Sequence, residues 1–133
     1  MIERLFHAFN ERDVDEVLEL CDPDVEFRPV SAELARSGKP YIGHGGIQKY
    51  FADVAGLWEA LEVTVHEVRE ASGAVLVVGR VIARDKERGV RDLPAGWVWR
   101  LREQRFVYGR VYADPREAAR EAGLEATSPE GGP

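Results

Sequence analysis

The hydrophobic residues of this chain change their spacing near residue 60, and that change limits the architectures open to it. Before it, apolar residues recur at the helical period; after it, they alternate. Ile2, Leu5, Phe6 and Phe9 define a first amphipathic helix, broken at Asn10-Glu11-Arg12. Asp13 with Glu16 three residues on reads as a capping box for a second helix, whose buried stripe is Val14, Val17, Leu18 and Cys21. Asp22-Pro23-Asp24 reads as a turn and residues 25–30 as a short strand with Val25 and Phe27 inward. Residues 31–40 form a polar excursion. Gly43-His44-Gly45-Gly46 then opens a third helix with the face Ile47, Tyr50, Phe51, Val54, Leu57 and Trp58.

From Leu61 onward the pattern is that of strands. Leu61, Val63 and Val65 alternate with Glu62, Thr64 and His66; residues 74–84 are a long β-rich run; residues 85–92, charged and containing Gly89, read as a loop. Residues 94–101 place Ala95, Trp97, Trp99 and Leu101 on one face, and residues 106–113 follow a tight turn near Glu103-Gln104. Asp114-Pro115 with Glu117 starts a short C-terminal helix that Gly123 ends. Helices followed by strands predict an α+β fold. Its antiparallel or mixed sheet cannot stay flat and curls into a cone around an apolar pocket, with three N-terminal helices and the short C-terminal one. Residues 1–124 are expected to form a single domain and residues 125–133 a disordered tail.

Composition narrows the function classes. The 133 residues, 44% hydrophobic and 32% charged, suit a soluble globular domain, and the expected location is cytoplasmic because the N-terminal residues lack an unbroken apolar stretch. A net charge of −6 opposes nucleic-acid binding, and no apolar run is long enough for a membrane span. The single cysteine, Cys21, excludes an intrachain disulfide and reads as a small buried residue. His7, His44 and His66 have no metal-ligand spacing, no Gly-x-Ser-x-Gly elbow occurs, the serines fall in apparent loops, and no cofactor signature is present; neither metal nor cofactor is expected.

Four stretches carry a resemblance to the SnoaL-like branch of the nuclear-transport-factor-2-like (ketosteroid-isomerase-like) superfamily: Ala8-Phe9-Asn10-Glu11-Arg12-Asp13-Val14-Asp15, Asp22-Pro23-Asp24-Val25-Glu26-Phe27, Tyr41-Ile42-Gly43-His44-Gly45-Gly46-Ile47, and the last hairpin from Trp97-Val98-Trp99-Arg100-Leu101 through Arg110-Val111-Tyr112-Ala113-Asp114. The resemblance implies the cone fold. It leaves activity open, since such proteins include isomerases, polyketide cyclases, epoxide hydrolases, dehydratases and non-catalytic binders. The ketosteroid-isomerase groups are missing: no carboxylate follows Glu26 in Phe27-Arg28-Pro29, Leu5 falls where a helix-one tyrosine is needed, and Trp97 where a protonated acid is needed. The Asp–Arg–Asp set of the epoxide hydrolases finds no Asp in residues 94–101.

The candidate site residues follow from the inward face. Trp97 and Trp99 point into the cone because Arg100 and Arg102, on the opposite face, prefer water; with Trp58, Phe27 and Tyr50 they are the candidate ligand-binding set. The alternative is that the indoles fill the core. His44 and Asp114 are the candidate acid–base residues. His44, flanked by glycines at a helix N-terminus, carries the side chain best suited to move protons near neutrality, and Asp114 answers to the late carboxylate of the superfamily's cyclases. Each also has a plainer reading, local hydrogen bonding for His44 and capping for Asp114. Glu26 and Arg28 share a strand face and read as a surface pair. Tyr108, Arg110 and Tyr112 on the outer face suggest a homodimer.

Three functions remain in view: a binder of a small apolar ligand; a cofactor-free acid–base isomerase, cyclase or dehydratase using His44 or Asp114; and a dimerisation module with a filled core. An open cavity with a polar group in reach favours the enzyme, a dry cavity the binder, and a filled interior the module.

Overall fold

The computed structural model describes residues 1–29, 39–71, 73–85, 87 and 89–124. The expected polar excursion after the first strand, the C-terminal tail and all four serines therefore fall wholly or largely outside the described residues. The elements run α1 (Ile2–Asn10), α2 (Val14–Leu20), β1 (Cys21–Arg28), β2 (Tyr41–Ile42), α3 (Gly43–Leu57), β3 (Ala60–Ala71), β4 (Ala74–Asp85), β5 (Gly89–Arg102), β6 (Arg105–Tyr112) and α4 (Pro115–Ala122). The six strands form one mixed sheet in the order β2-β1-β6-β5-β4-β3. Strands β3 to β6 are an antiparallel meander, and β1 joins β6 in parallel. No described helix is long and apolar enough to cross a membrane.

Local chemistry explains most element ends. Arg12, with φ 57, turns the chain between α1 and α2, and Asp13 accepts a hydrogen bond from the Glu16 amide at 3.2 Å. The expected return arm of that capping box is used differently: the Glu16 carboxylate accepts from Arg4 of α1 at 2.6 Å and ties the two helices together. The β5–β6 turn is made by Glu103 and Gln104, both at positive φ (52 and 66), the geometry that follows the right-handed twist of a hairpin. Asp114 caps α4 through the Arg116 amide at 2.9 Å, not through Glu117, and Gly123 ends α4 with φ 77.

Two segments depart from the sequence-based expectations. Asp22-Pro23-Asp24 lies inside β1 rather than in a turn. Proline is tolerated there because the β1–β6 register breaks after Cys21 and resumes at Glu26, so Pro23 has no partner to donate to. The expected loop over residues 85–92 is strand at Asp85 and from Gly89 to Asp92: β4 and β5 pair as far as Asp85 opposite Gly89. Charged residues hide this strand from an alternation test because the hairpin end stands in solvent on both sides.

The sheet edge at β3 is closed by a side chain. Asn10 donates to the Val63 carbonyl at 2.9 Å and accepts from the Val63 amide at 2.8 Å, so its carboxamide acts as one residue of an additional strand. The residue that breaks α1 thus fastens that helix to the edge strand.

Two cores result, one on each face of the sheet. The inner core contains Leu5, Phe6, Val25, Phe27, Tyr41, Tyr50, Trp97 and Trp99 among others. The outer core is smaller: Leu76, Val98 and Tyr112 of the sheet lie under Ala118 and Ala122 of α4. Gly96 lets α4 approach this closely, since a Cβ there would come within 2.7 Å of the Ala118 Cβ and 3.0 Å of the Pro115 Cα. Part of the outer face expected to meet a second subunit is therefore covered by the chain's own helix. Tyr112 is 8% exposed beneath α4, and Arg110 stacks on its ring at 4.9 Å.

Candidate functional site

Between the inner sheet face and helices α1 to α3 lies a cavity of about 360 Å³. Its size sits at the lower end of the range for small-molecule sites, roughly 300–1,000 Å³. The five side chains read from the sequence as a ligand surface, Phe27, Tyr50, Trp58, Trp97 and Trp99, all lie on its wall. Strand alternation puts Trp97 and Trp99 there. Helical spacing brings Tyr50 to the same side, and Trp58 closes the wall where α3 ends.

The aromatic side chains form a connected frame. Trp99 stacks on Phe27 with ring centroids 5.9 Å apart and planes 13° from parallel. Phe6 meets Trp97 edge-on at 5.1 Å, and Phe27 meets Tyr50 edge-on at 4.8 Å. Edge-to-face and offset contacts of this kind hold rings in fixed orientations. Gly109, opposite Trp99 in the β5–β6 register, leaves room for that indole, because a Cβ at Gly109 would overlap the ring. The frame props the wall open instead of collapsing into it.

Polar groups on the wall are few. Among the described residues the Tyr50 hydroxyl has no hydrogen-bond partner, and burial pushes its pKa upward, with the neighbouring Tyr41 adding to the shift. Cys21 is read from the sequence as the last turn of α2; it is instead the first residue of β1 and lies on the cavity wall. Burial, reinforced by Asp22, raises its thiol to about 11. The Trp99 Nε1–H is buried without an acceptor. Arg91 is the single charged residue on the wall among the described residues. It was missed because residues 85–92 read as a loop. The signal was present: Arg91, Leu93, Ala95, Trp97 and Trp99 continue one alternation.

The two acid–base candidates lie elsewhere. Neither His44 nor Asp114 belongs to the cavity wall among the described residues. His44 Nε2 is 3.0 Å from the Cys21 carbonyl oxygen, which links the start of α3 to β1. The flanking glycines have structural duties: Gly43 takes φ 74, and Gly46 packs so tightly on Tyr41 that a Cβ would come within 2.8 Å of its backbone carbon. Asp114 is committed to the start of α4, and its hydrogen bonds to the Arg116 backbone and side chain lower its pKa. Glu26 and Arg28 pair with each other at 2.6 Å, also off the wall. Among the described residues, no group of three or more histidine, cysteine or acidic residues could hold a metal ion.

A six-stranded mixed sheet packed against helices is the fold of the nuclear-transport-factor-2-like, ketosteroid-isomerase-like proteins. Solved structures bear this out. An NTF2-like protein of unknown function from Burkholderia pseudomallei superposes with a TM-score of 0.76 at 21% identity, covering 91% of this chain and 93% of that one. TerC, co-crystallised with polyporic acid, gives a TM-score of 0.76 at 22% identity, with 91% and 93% covered. RV0760c from Mycobacterium tuberculosis, in complex with estradiol-17β-hemisuccinate, gives 0.73 at 15% identity, with 83% and 88% covered. No curated protein matches the chain. The SnoaL-like domain model matches residues 2–109, and the chain belongs to that family.

Proposed function

We propose that this protein binds a small, flat, largely apolar molecule in the cavity, and that the described wall serves recognition rather than proton transfer. The supporting observation is the chemistry of that wall: aromatic plates with hydrogen-bond donors but, among the described residues, no carboxylate and no imidazole. Acid–base catalysis near neutrality needs a group that can give up and regain a proton there. Burial keeps Tyr50 and Cys21 protonated, and guanidinium does not deprotonate. The Tyr50 hydroxyl, which has no hydrogen-bond partner among the described residues, would hydrogen-bond a polar atom on the ligand, while the indoles of Trp97 and Trp99 cover its ring faces. The structures solved with polyporic acid and with estradiol-17β-hemisuccinate support a small-molecule role for the fold.

A titration of steroids, aromatic polyketides and terpenoids followed by tryptophan emission tests this reading. Ligands should quench or shift the emission, and Tyr50→Phe should weaken those carrying a carbonyl by about tenfold, the equivalent of one interior hydrogen bond. If no compound perturbs the emission, the reading fails. Turnover of any compound, unaltered in His44→Ala and Asp114→Asn, would place chemistry on groups other than these two. A twofold assembly would use the outer face that α4 leaves open, around Tyr108 and Arg110; light scattering on Arg110→Glu tests for it.

A further inference from the structure

We infer that the ligand is an amphipathic organic acid, seated with its apolar body in the aromatic cavity and its anionic group at the cavity mouth, against Arg91. This deepens the small-molecule reading and rests on it.

The wall has two chemically different ends. At one end Phe27, Tyr50 and Trp99 are mutually packed and buried. At the other, Arg91, Leu93 and Pro94 of β5 are exposed, with Leu93 at 53%, which marks the opening. Along β5, Arg91 and Trp99 are about 26 Å apart at roughly 3.3 Å per residue. The apolar interior and the charge are therefore separated along a single strand face.

Among the described residues Arg91 is also without a counter-charge. The next acidic residue, Asp92, points to the other face and is taken by Arg80, whose Nε donates to it at 2.6 Å. None of the ion pairs among the described residues includes Arg91. The chain carries a net charge of −6, yet the one charge on the described cavity wall is the positive guanidinium of Arg91. A guanidinium presents a planar fork that fits a carboxylate or sulfonate. A neutral ligand would leave it without a partner, and a cation would be repelled.

Pyrene-1-butyric acid and its methyl ester separate these possibilities, because they share one apolar body and differ in charge. Both are titrated by energy transfer from the tryptophans at low ionic strength. In the wild type the acid should bind more tightly than in Arg91→Gln by about fivefold, the scale of a solvent-screened ion pair. Binding of the ester should be unchanged by the substitution. Arg84→Gln, on the same hairpin but off the wall, should leave both affinities as they are. If the acid-to-ester ratio is the same in wild type and Arg91→Gln, or if Arg84→Gln lowers it equally, the assignment to Arg91 is overturned while the cavity reading stands. If neither compound binds, both fall.

Discussion

The two faces of β5 solve the same packing problem in opposite ways. On the outer face Gly96 and Val98 are small, and α4 settles directly onto the sheet until Ala118 and Val98 are 0% and 1% exposed. On the inner face Trp97 and Trp99 are the largest residues available, yet a volume of about 360 Å³ stays empty beside them. Small side chains let backbones meet and leave no space between them. Large rigid rings braced against one another span a space without filling it. A face closed by alanine and glycine is built for cohesion; one framed by indoles holds room for a guest, and the empty volume lowers the stability that the same area would otherwise provide.

Substitutions on the closed face should therefore have the largest effect on stability. Gly96→Val forces α4 off the sheet and is expected to cost about 3 kcal/mol, read from urea unfolding. A cost under about 1 kcal/mol would mean that α4 does not press on β5 as described. Gly109→Ala is the corresponding insertion on the open face. Its methyl displaces the Trp99 ring, but the ring has empty volume to enter, so the cost should be nearer 2 kcal/mol, accompanied by a change in tryptophan emission and about tenfold weaker ligand binding. Equal costs at the two glycines would erase the distinction between the faces.

Trp99→Phe should alter stability by no more than about 1 kcal/mol, because the lost ring contacts are offset by removal of a buried donor that has no acceptor. Unfolding by urea at neutral pH measures this, and a loss of several kcal/mol would mean that the Nε1–H is satisfied in solution. The smallest expected effect is on pH dependence. Folded Cys21 holds its proton more tightly than the unfolded chain does, so its contribution is complete below pH 9.0 and disappears as pH rises through about 11. Cys21→Ala should flatten that part of the stability curve, and Tyr50→Phe the part from pH 10.0 upward, since the Tyr50 pKa is also raised. An unchanged alkaline slope in both variants would show that neither group is held in an apolar environment.

The helices, the meander and the inward tryptophans were legible because each is written in a local period. Trp97 and Trp99 alternate with residues that prefer the other side, and Phe27 and Tyr50 stand at core positions of their elements. What escaped was set by partners distant in sequence. The β1 register depends on β6, so Pro23 looked like a turn. The hairpin end at Asp85 and Gly89 is held by backbone pairing among charged residues, which masks the alternation that Arg91 shares with Leu93, Ala95, Trp97 and Trp99. His44 and Asp114 stand out as reactive groups at helix starts; Asp114 is taken up by capping α4, and His44 by the Cys21 carbonyl of β1, a partner distant in sequence. The cover over Tyr112 was invisible because α4 reads as a surface helix until its small face is matched with Gly96.

The parallel pairing of β1 with β6 has a consequence for how the chain is made. Cys21 and Phe106 are register partners, so during synthesis β1 must wait until β6 has emerged before it can dock on the sheet. Until then Val25 and Phe27 have no central sheet to join. A nascent chain stopped short of residue 105 would expose them to chaperones, and the last hairpin to leave the ribosome is the one that completes assembly.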